Sequence, residues 1–255
     1  MEWRTAITKV EPNRIQIRGY DVQDLIRNFS FGQAVYLLFK GEPPSPAEGR
    51  MIDAVLVATI DHSVTAPSAC ATRFVASGGV PIQSAVAAGL QALGDHHGGA
   101  IEQCQRLLED GVARARSEKR TPNEMAEIIL REHKSAKKRV PGYGHPYHKE
   151  DPRTEALFSL AEELGLAGDH IRLARALSEK SEEALGRHLV INTDAAQAAI
   201  LAEMGFPWQI ARGFFVISRA AGLSAHAYEE YTRERPFRAV DIGSVNYDGP
   251  ENRSL

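Results

Sequence analysis

The chain is short of cysteine, of long apolar runs and of any excess of one charge. Only Cys70 and Cys104 occur in 255 residues, too few for a disulfide framework or a four-thiolate zinc site, so a reducing cytoplasm is the expected compartment. The 30 Lys and Arg face 33 Asp and Glu, for a formal charge of -3. That balance creates no overall field to draw nucleic acid or an anionic membrane, and any anionic ligand has to be held locally. Every apolar stretch breaks well before the roughly 18 residues of a membrane span, and the opening Met1-Glu-Trp-Arg does not read as a secretory leader. There is no GxxxxGK[ST] and no strand-coupled GxGxxG, which excludes a P-loop and a dinucleotide-binding turn. No ligands stand at metalloenzyme spacing, so no metal is expected.

What is present is helical periodicity. Ile7, Val10, Ile15 and Ile17 flank Glu11-Pro12-Asn13 and read as a β-hairpin over 5–19, the only sheet expected. Beyond it, a short helix capped by Asp21 or Asp24 is followed by helical segments at 31–40, 45–60, 66–76, 82–93, 98–117, 122–134, 153–164, 169–186, 195–204 and 207–233. The polar stretch 241–255 reads as a tail. An all-α fold with a short N-terminal hairpin follows, as one large domain or two unequal ones sharing a cleft.

The densest stretch is VPGYGHPYHKEDPR at 140–153. Its prolines stiffen the backbone while Gly142 and Gly144 permit conformations or close approaches that a Cβ blocks. It carries His145, with a near-neutral reference pKa, and Arg153, which can grip a carboxylate or phosphate with two parallel hydrogen bonds. A solvated turn with incidental histidines is the other reading. Lys134, Lys137, Lys138 and Arg139 precede it, either as a solvated face or as a cradle for a nucleotide-like ligand's phosphates. Asp61-His62 and Asp95-His96-His97-Gly98-Gly99 likewise place ionisable groups where helices break. His97 sits just before a helix, whose positive end disfavours a protonated ring. His96 and His97 diverge if the backbone is extended, which makes them a poor metal pair. Asp194, in NTDAAQAAIL, is either a helix cap or a working carboxylate. Arg219 lies amid Phe214, Phe215 and Ile217, where a guanidinium needs an anion.

Taken in order, RGYDVQDLIRNFSFGQAVYLLFKGEPPS, DHSVTAPSACATRFVASGG, HHGGAIEQ, VPGYGHPYHKEDPR, NTDAAQAAIL, SRAAGLSAH and ERP resemble the successive motif blocks of the citrate synthase superfamily. The resemblance implies a multi-helical fold with a large domain at 1–100 and 190–255 and a small one at 101–189 carrying the coenzyme A loop. It implies catalysis by His97, His145 and Asp194, with His62, Arg153, Arg219 and Arg235 holding the substrate's carboxylates. Coenzyme A, as part of an acyl-CoA substrate, would lie against Val140, Gly142, Tyr143 and Gly144, with Lys138 and Lys149 near its phosphates. The arginine matching Arg235 reaches into a neighbouring subunit's site in the family, so a homodimer is implied.

Only 45–60 separates Gly41-Glu42-Pro43-Pro44 from Asp61-His62, where full citrate synthases carry a long helical stretch. That short form resembles the citryl-CoA lyases and the C-terminal lyase module of ATP citrate lyase. Cleavage of citryl-CoA to acetyl-CoA and oxaloacetate is therefore the implied reaction. Citrate synthesis, or the same chemistry on a related 2-hydroxyacyl-CoA, is the alternative. The stretch from His145 to Arg153 is also shorter than in citrate synthases, with His148 and Lys149 where a phosphate-binding arginine lies.

Overall fold

The structure is a computed structural model that describes residues 2–144 and 150–254. The expected hairpin is present as β1 (Thr8–Glu11) and β2 (Arg14–Ile17), antiparallel with Thr8 opposite Ile17 and Glu11 opposite Arg14. A third strand, β3 (Tyr20–Asp21), adds to β2. Arg14 donates to Asp21 from Nε and Nη2, at 2.8 and 3.2 Å. Asp21 is thereby drawn into the sheet and does not cap α1 (Val22–Asn28) with its side chain.

Helices then follow almost without interruption, and their starts are written locally. α2 (Phe31–Lys40) opens on Ser30 with Gln33 reaching back, and the left-handed Gly41 ends it. α3 (Pro46–Ala58) and, further on, α7 (Pro122–Ser135) open on Ser45 and Thr121, each with proline at the first helical position and a glutamate closing a reciprocal capping box. Between them lie α4 (Pro67–Ser77), α5 (Ile82–Gln91) and α6 (Ala100–Ser117). α8 (Pro152–Glu163) follows.

The single helix expected over 169–186 is two, α9 (Asp169–Glu179) and α10 (Ser181–Leu185). Buried Ser178 and Ser181 hydrogen-bond Leu189 through its carbonyl and its N–H, which turns the chain where the periodicity ran on. α11 (Thr193–Glu203) is next. A single 3₁₀ turn at Trp208–Ile210 then leads into α12 (Ala211–Arg233).

α11 is the hub. Ala195, Ala196, Ala198, Ala199, Ile200 and Leu201 are all buried, so the helix is covered on every side, by α6, α8 and α9 among others. Its small side chains let these neighbours come close. Gln197, wholly buried, donates to the Val55 carbonyl at 2.8 Å and to Thr59 Oγ1 at 3.1 Å, tying α11 to α3. Phe206 packs edge-on to both Tyr36 and Phe214, with ring centres 5.4 and 4.9 Å away. α4 and α5 form an antiparallel pair lying on α12, with Ala76, Ala85 and Ala227 between them. Among the described residues no helix is long and apolar enough to cross a membrane.

Close packing in that pair makes a prediction. A Cβ on Gly89 would stand 2.0 Å from Thr72 Oγ1 and 2.7 Å from the Ser68 carbonyl, so Gly89→Ala should destabilise by at least about 1–3 kcal/mol. Gly213→Ala in α12 meets nothing nearer than the Phe39 ring at 3.9 Å and should stabilise by about 0.5–1 kcal/mol. Denaturant midpoints of the two variants decide, and shifts of the same sign would contradict the packing described.

Candidate active site

Four helix N-termini meet around a cavity of about 230 Å³. Ala66 and Pro67 open α4, His96, His97 and Gly98 lead into α6, Arg153 opens α8, and Asn192, Thr193 and Asp194 open α11. His62, Thr65, Phe215 and Arg219 complete the wall. Positive helix ends and two arginines converging on one small space favour an anionic ligand. A second cavity, of about 780 Å³ and largely apolar, opens between α3 and α8 and shares Arg153.

Asp194 does not cap its helix. Asn192 does, its Oδ1 accepting from the N–H groups of Asp194 at 2.9 Å and Ala195 at 3.2 Å. The Asp194 carboxyl is left facing the cavity, with no hydrogen-bond donor on it among the described residues. Loss of hydration pushes its pKa from 3.8 up to about 6, against the opposing charges of Arg153 and Arg219. A carboxyl with that value is ready to exchange a proton near neutral pH.

His97 is held neutral, as its sequence context suggested, though burial is the main cause and the charges of Arg219 and His62 add to it. The backbone before α6 is not extended: Gly94 and His97 exchange N–H···O bonds of 2.9 and 3.0 Å in a tight turn, which leaves both His96 and His97 at the cavity. Gly99 has no room for a side chain, since a Cβ there would sit 2.6 Å from the Asp95 Cα. Arg212 pins the turn to α12 through Asp95 and Glu102.

Ser68, which nothing in the local sequence singled out, lies 2.8 Å from His97 Nε2 and accepts from Arg219 Nη1 at 3.4 Å. Ser68 can accept from Arg219 and still either donate to Nε2 or accept from it, so the direction of the His97–Ser68 bond depends on the ring's tautomer. Arg219 itself is 2% exposed, donates to the Thr59 carbonyl at 3.0 Å and stacks 4.8 Å from the Phe215 ring centre. It was expected to need an anion, and these hydrogen-bond partners are neutral, so its charge remains directed at the cavity.

Arg153 is already oriented. Asp151, whose side chain is wholly buried, holds its Nε and Nη2 at 2.9 and 2.8 Å, caps α8, and accepts the Thr193 N–H at 3.2 Å. One carboxylate thus fixes both the arginine and the meeting of α8 with α11. His62 Nδ1 lies 3.1 Å from Thr65 Oγ1, whose hydroxyl donates to the His62 carbonyl at 2.7 Å.

Of the residues expected to meet coenzyme A, Gly142 and Gly144 both take positive φ and lie beside the start of α11. Asn192 donates from its backbone to the Gly142 carbonyl and from its side chain to the Gly144 carbonyl, each at 3.1 Å. The Val140 side chain is buried, and the Tyr143 hydroxyl donates to the Ala174 carbonyl at 2.9 Å. Lys138 is exposed. His145 and Lys149 lie outside the described residues. Arg235 is exposed and does not line the cavity of this chain.

The raised Asp194 pKa has a measurable sign. Because its value in the fold exceeds the ordinary 3.8, the fold takes up this proton first as pH falls. The ionisation cost is therefore fully present above about pH 6 and fades toward pH 4. Asp194→Asn should raise the melting temperature at pH 7.5, with the gain vanishing near pH 4. A variant no more stable than the parent at pH 7.5 would contradict the desolvated carboxyl.

Residues 41–240 match the citrate synthase C-terminal domain family. Citrate synthase of Haloferax volcanii is 30% identical over 227 residues, covering 87% of this chain and 57% of the relative. The chain thus spans little more than half the length of the curated relatives it matches. Citryl-CoA lyase from Hydrogenobacter thermophilus is 44% identical with a TM-score of 0.91, over 99% of this chain and 97% of that one. Methanosaeta concilii ATP citrate lyase, solved in complex with (3S)-citryl-CoA, is 18% identical and shares the fold with a TM-score of 0.83, over 98% of this chain and 42% of its own. The chain belongs to the citrate synthase superfamily of coenzyme A-dependent enzymes.

Proposed function

We propose that the protein is a citryl-CoA lyase, cleaving citryl-CoA to acetyl-CoA and oxaloacetate. The observation that carries this reading is the 44% identity and TM-score of 0.91 to a citryl-CoA lyase, against 30% identity to the citrate synthase of Haloferax volcanii. The chemistry follows from the site. The carboxylates of the citryl group bind Arg153, Arg219 and His62, with Arg235 supplied by a second copy in a homodimer. His145 takes the hydroxyl proton, the oxygen's electrons form the ketone, and the bond from the hydroxyl-bearing carbon to the methylene beside the thioester breaks.

The electron pair passes into the thioester enolate, whose oxygen accepts from the neutral His97 ring, through Nδ1–H where Ser68 donates to Nε2. A preorganised neutral donor of this kind stabilises charge that develops only as the bond opens. Asp194, as the acid, protonates the enolate carbon and releases acetyl-CoA, so atoms and charge balance. The small cavity suits the citryl head, and the larger one beside Arg153 gives room for more of the thioester. Coenzyme A lies against the backbone of 140–144, with Lys138 and Lys149 toward its phosphates. No metal enters the scheme, and two free cysteines suit a reducing cytoplasm.

Citrate synthesis remains the second reading because the curated relatives bear that name. It requires hydrolysis of the thioester after condensation. Mixing acetyl-CoA with oxaloacetate and following free thiol separates the two: the lyase reading expects only trace release, and rapid stoichiometric release would overturn it. Direction also sets the pH profile. Cleavage needs Asp194 protonated, so its kcat should fall as pH rises through about 6, whereas condensation should fall as pH drops through the same value. The same limb in both directions would contradict the role of Asp194.

A further inference from the structure

One stripe of α12 is fastened to the segment 56–61 residue by residue. Ser218 donates to the Leu56 carbonyl and Arg219 to the Thr59 carbonyl. Gly222 meets the Ile60 carbonyl so closely that a Cβ would stand 2.1 Å from its oxygen. One turn further on, His226 Nε2 lies 2.9 Å from Asp61 Oδ1. The other Asp61 oxygen accepts the Ser63 N–H at 2.8 Å, where the chain takes φ +60° in a residue other than glycine. That conformation is costly and persists only where its surroundings enforce it.

His62 lies between the two residues that this carboxylate joins. Burial works against the Asp61 charge, yet the Ser63 N–H and the His226 ring outweigh it and hold its pKa below the usual value. His226 has a side chain only 11% exposed, and its Nδ1 is buried with no hydrogen-bond partner among the described residues. The ring therefore serves a single contact, through Nε2.

We propose that His226 is a positioning residue: through Asp61 it fixes the left-handed turn at Ser63 that aims His62 at the substrate's carboxylate. This rests on the reading of His62 as a substrate ligand. It assigns His226 no contact with the reacting atoms, so its loss should appear as weakened binding rather than slowed chemistry.

The test compares citryl-CoA cleavage, citrate affinity by calorimetry and melting temperature in His226→Leu, His226→Gln, His62→Ala and the double variant His62→Ala/His226→Leu. His226→Leu should raise KM and the citrate Kd about tenfold, with kcat within about threefold. His226→Gln, which can place an amide nitrogen near the position of Nε2, should recover most of that loss. In the His62→Ala background the leucine should add less than about twofold, because positioning an absent side chain has no effect.

If His226→Leu does not fold, Asp61→Asn reads the same link from the exposed side and should show the same KM rise. Unchanged KM in His226→Leu alongside a raised KM in His62→Ala would overturn the positioning role alone. A full multiplicative loss in the double variant would also overturn it. Normal citrate affinity in His62→Ala would overturn the ligand assignment and this proposal together.

Discussion

A half-buried aspartate carboxyl that faces the cavity, without a hydrogen-bond donor among the described residues, is the constraint on which the rest of the site depends. Raising Asp194 from 3.8 to about 6 corresponds to an ionisation cost on the order of 3 kcal/mol. That is a large share of the roughly 5–15 kcal/mol by which a domain is stable. The surrounding structure is arranged to keep the carboxyl in that state. Asn192 relieves it of capping, the alanines behind it close the helix against its neighbours, and the two arginines that would otherwise neutralise it are each tethered elsewhere.

Those tethers balance the site. Arg219 is buried on neutral partners and Arg153 is forked onto Asp151, so both charges reach the cavity without forming a direct ion pair with Asp194. Burial and the Arg219 charge disfavour the His97 imidazolium, while Ser68 links the ring to Arg219 and fixes its orientation. A neutral donor, a raised acid and two fixed cations are thus consequences of one packing arrangement rather than independent features.

Much of this was legible in the sequence because it is written in local signals. Ser45-Pro46 and Thr121-Pro122 with their glutamates mark helix starts, Gly41 marks a stop, and the order of the motif blocks from HHGGA to SRAAG marks the pocket. What was not legible depends on residues distant in the chain. Ser68 is one of many helix serines until α12 brings Arg219 to it, and Asp194 looks like a cap until Asn192 is seen to hold that place. The break between α9 and α10 follows from Leu189, which is eight residues beyond Ser181. The positioning of His62 by α12 depends on a contact across 165 residues.

His62, His97, Arg153, Asp194 and Arg219 converge on one cavity, and these are residues that the proposed lyase reaction employs. A crystal structure with citrate and coenzyme A bound tests this most directly. The account predicts citrate in the cavity between α6, α8 and α11, its carboxylates on His62, Arg153 and Arg219, with His97 and Asp194 on the thioester side. Citrate bound elsewhere, or with Asp194 turned away from it, would contradict the account.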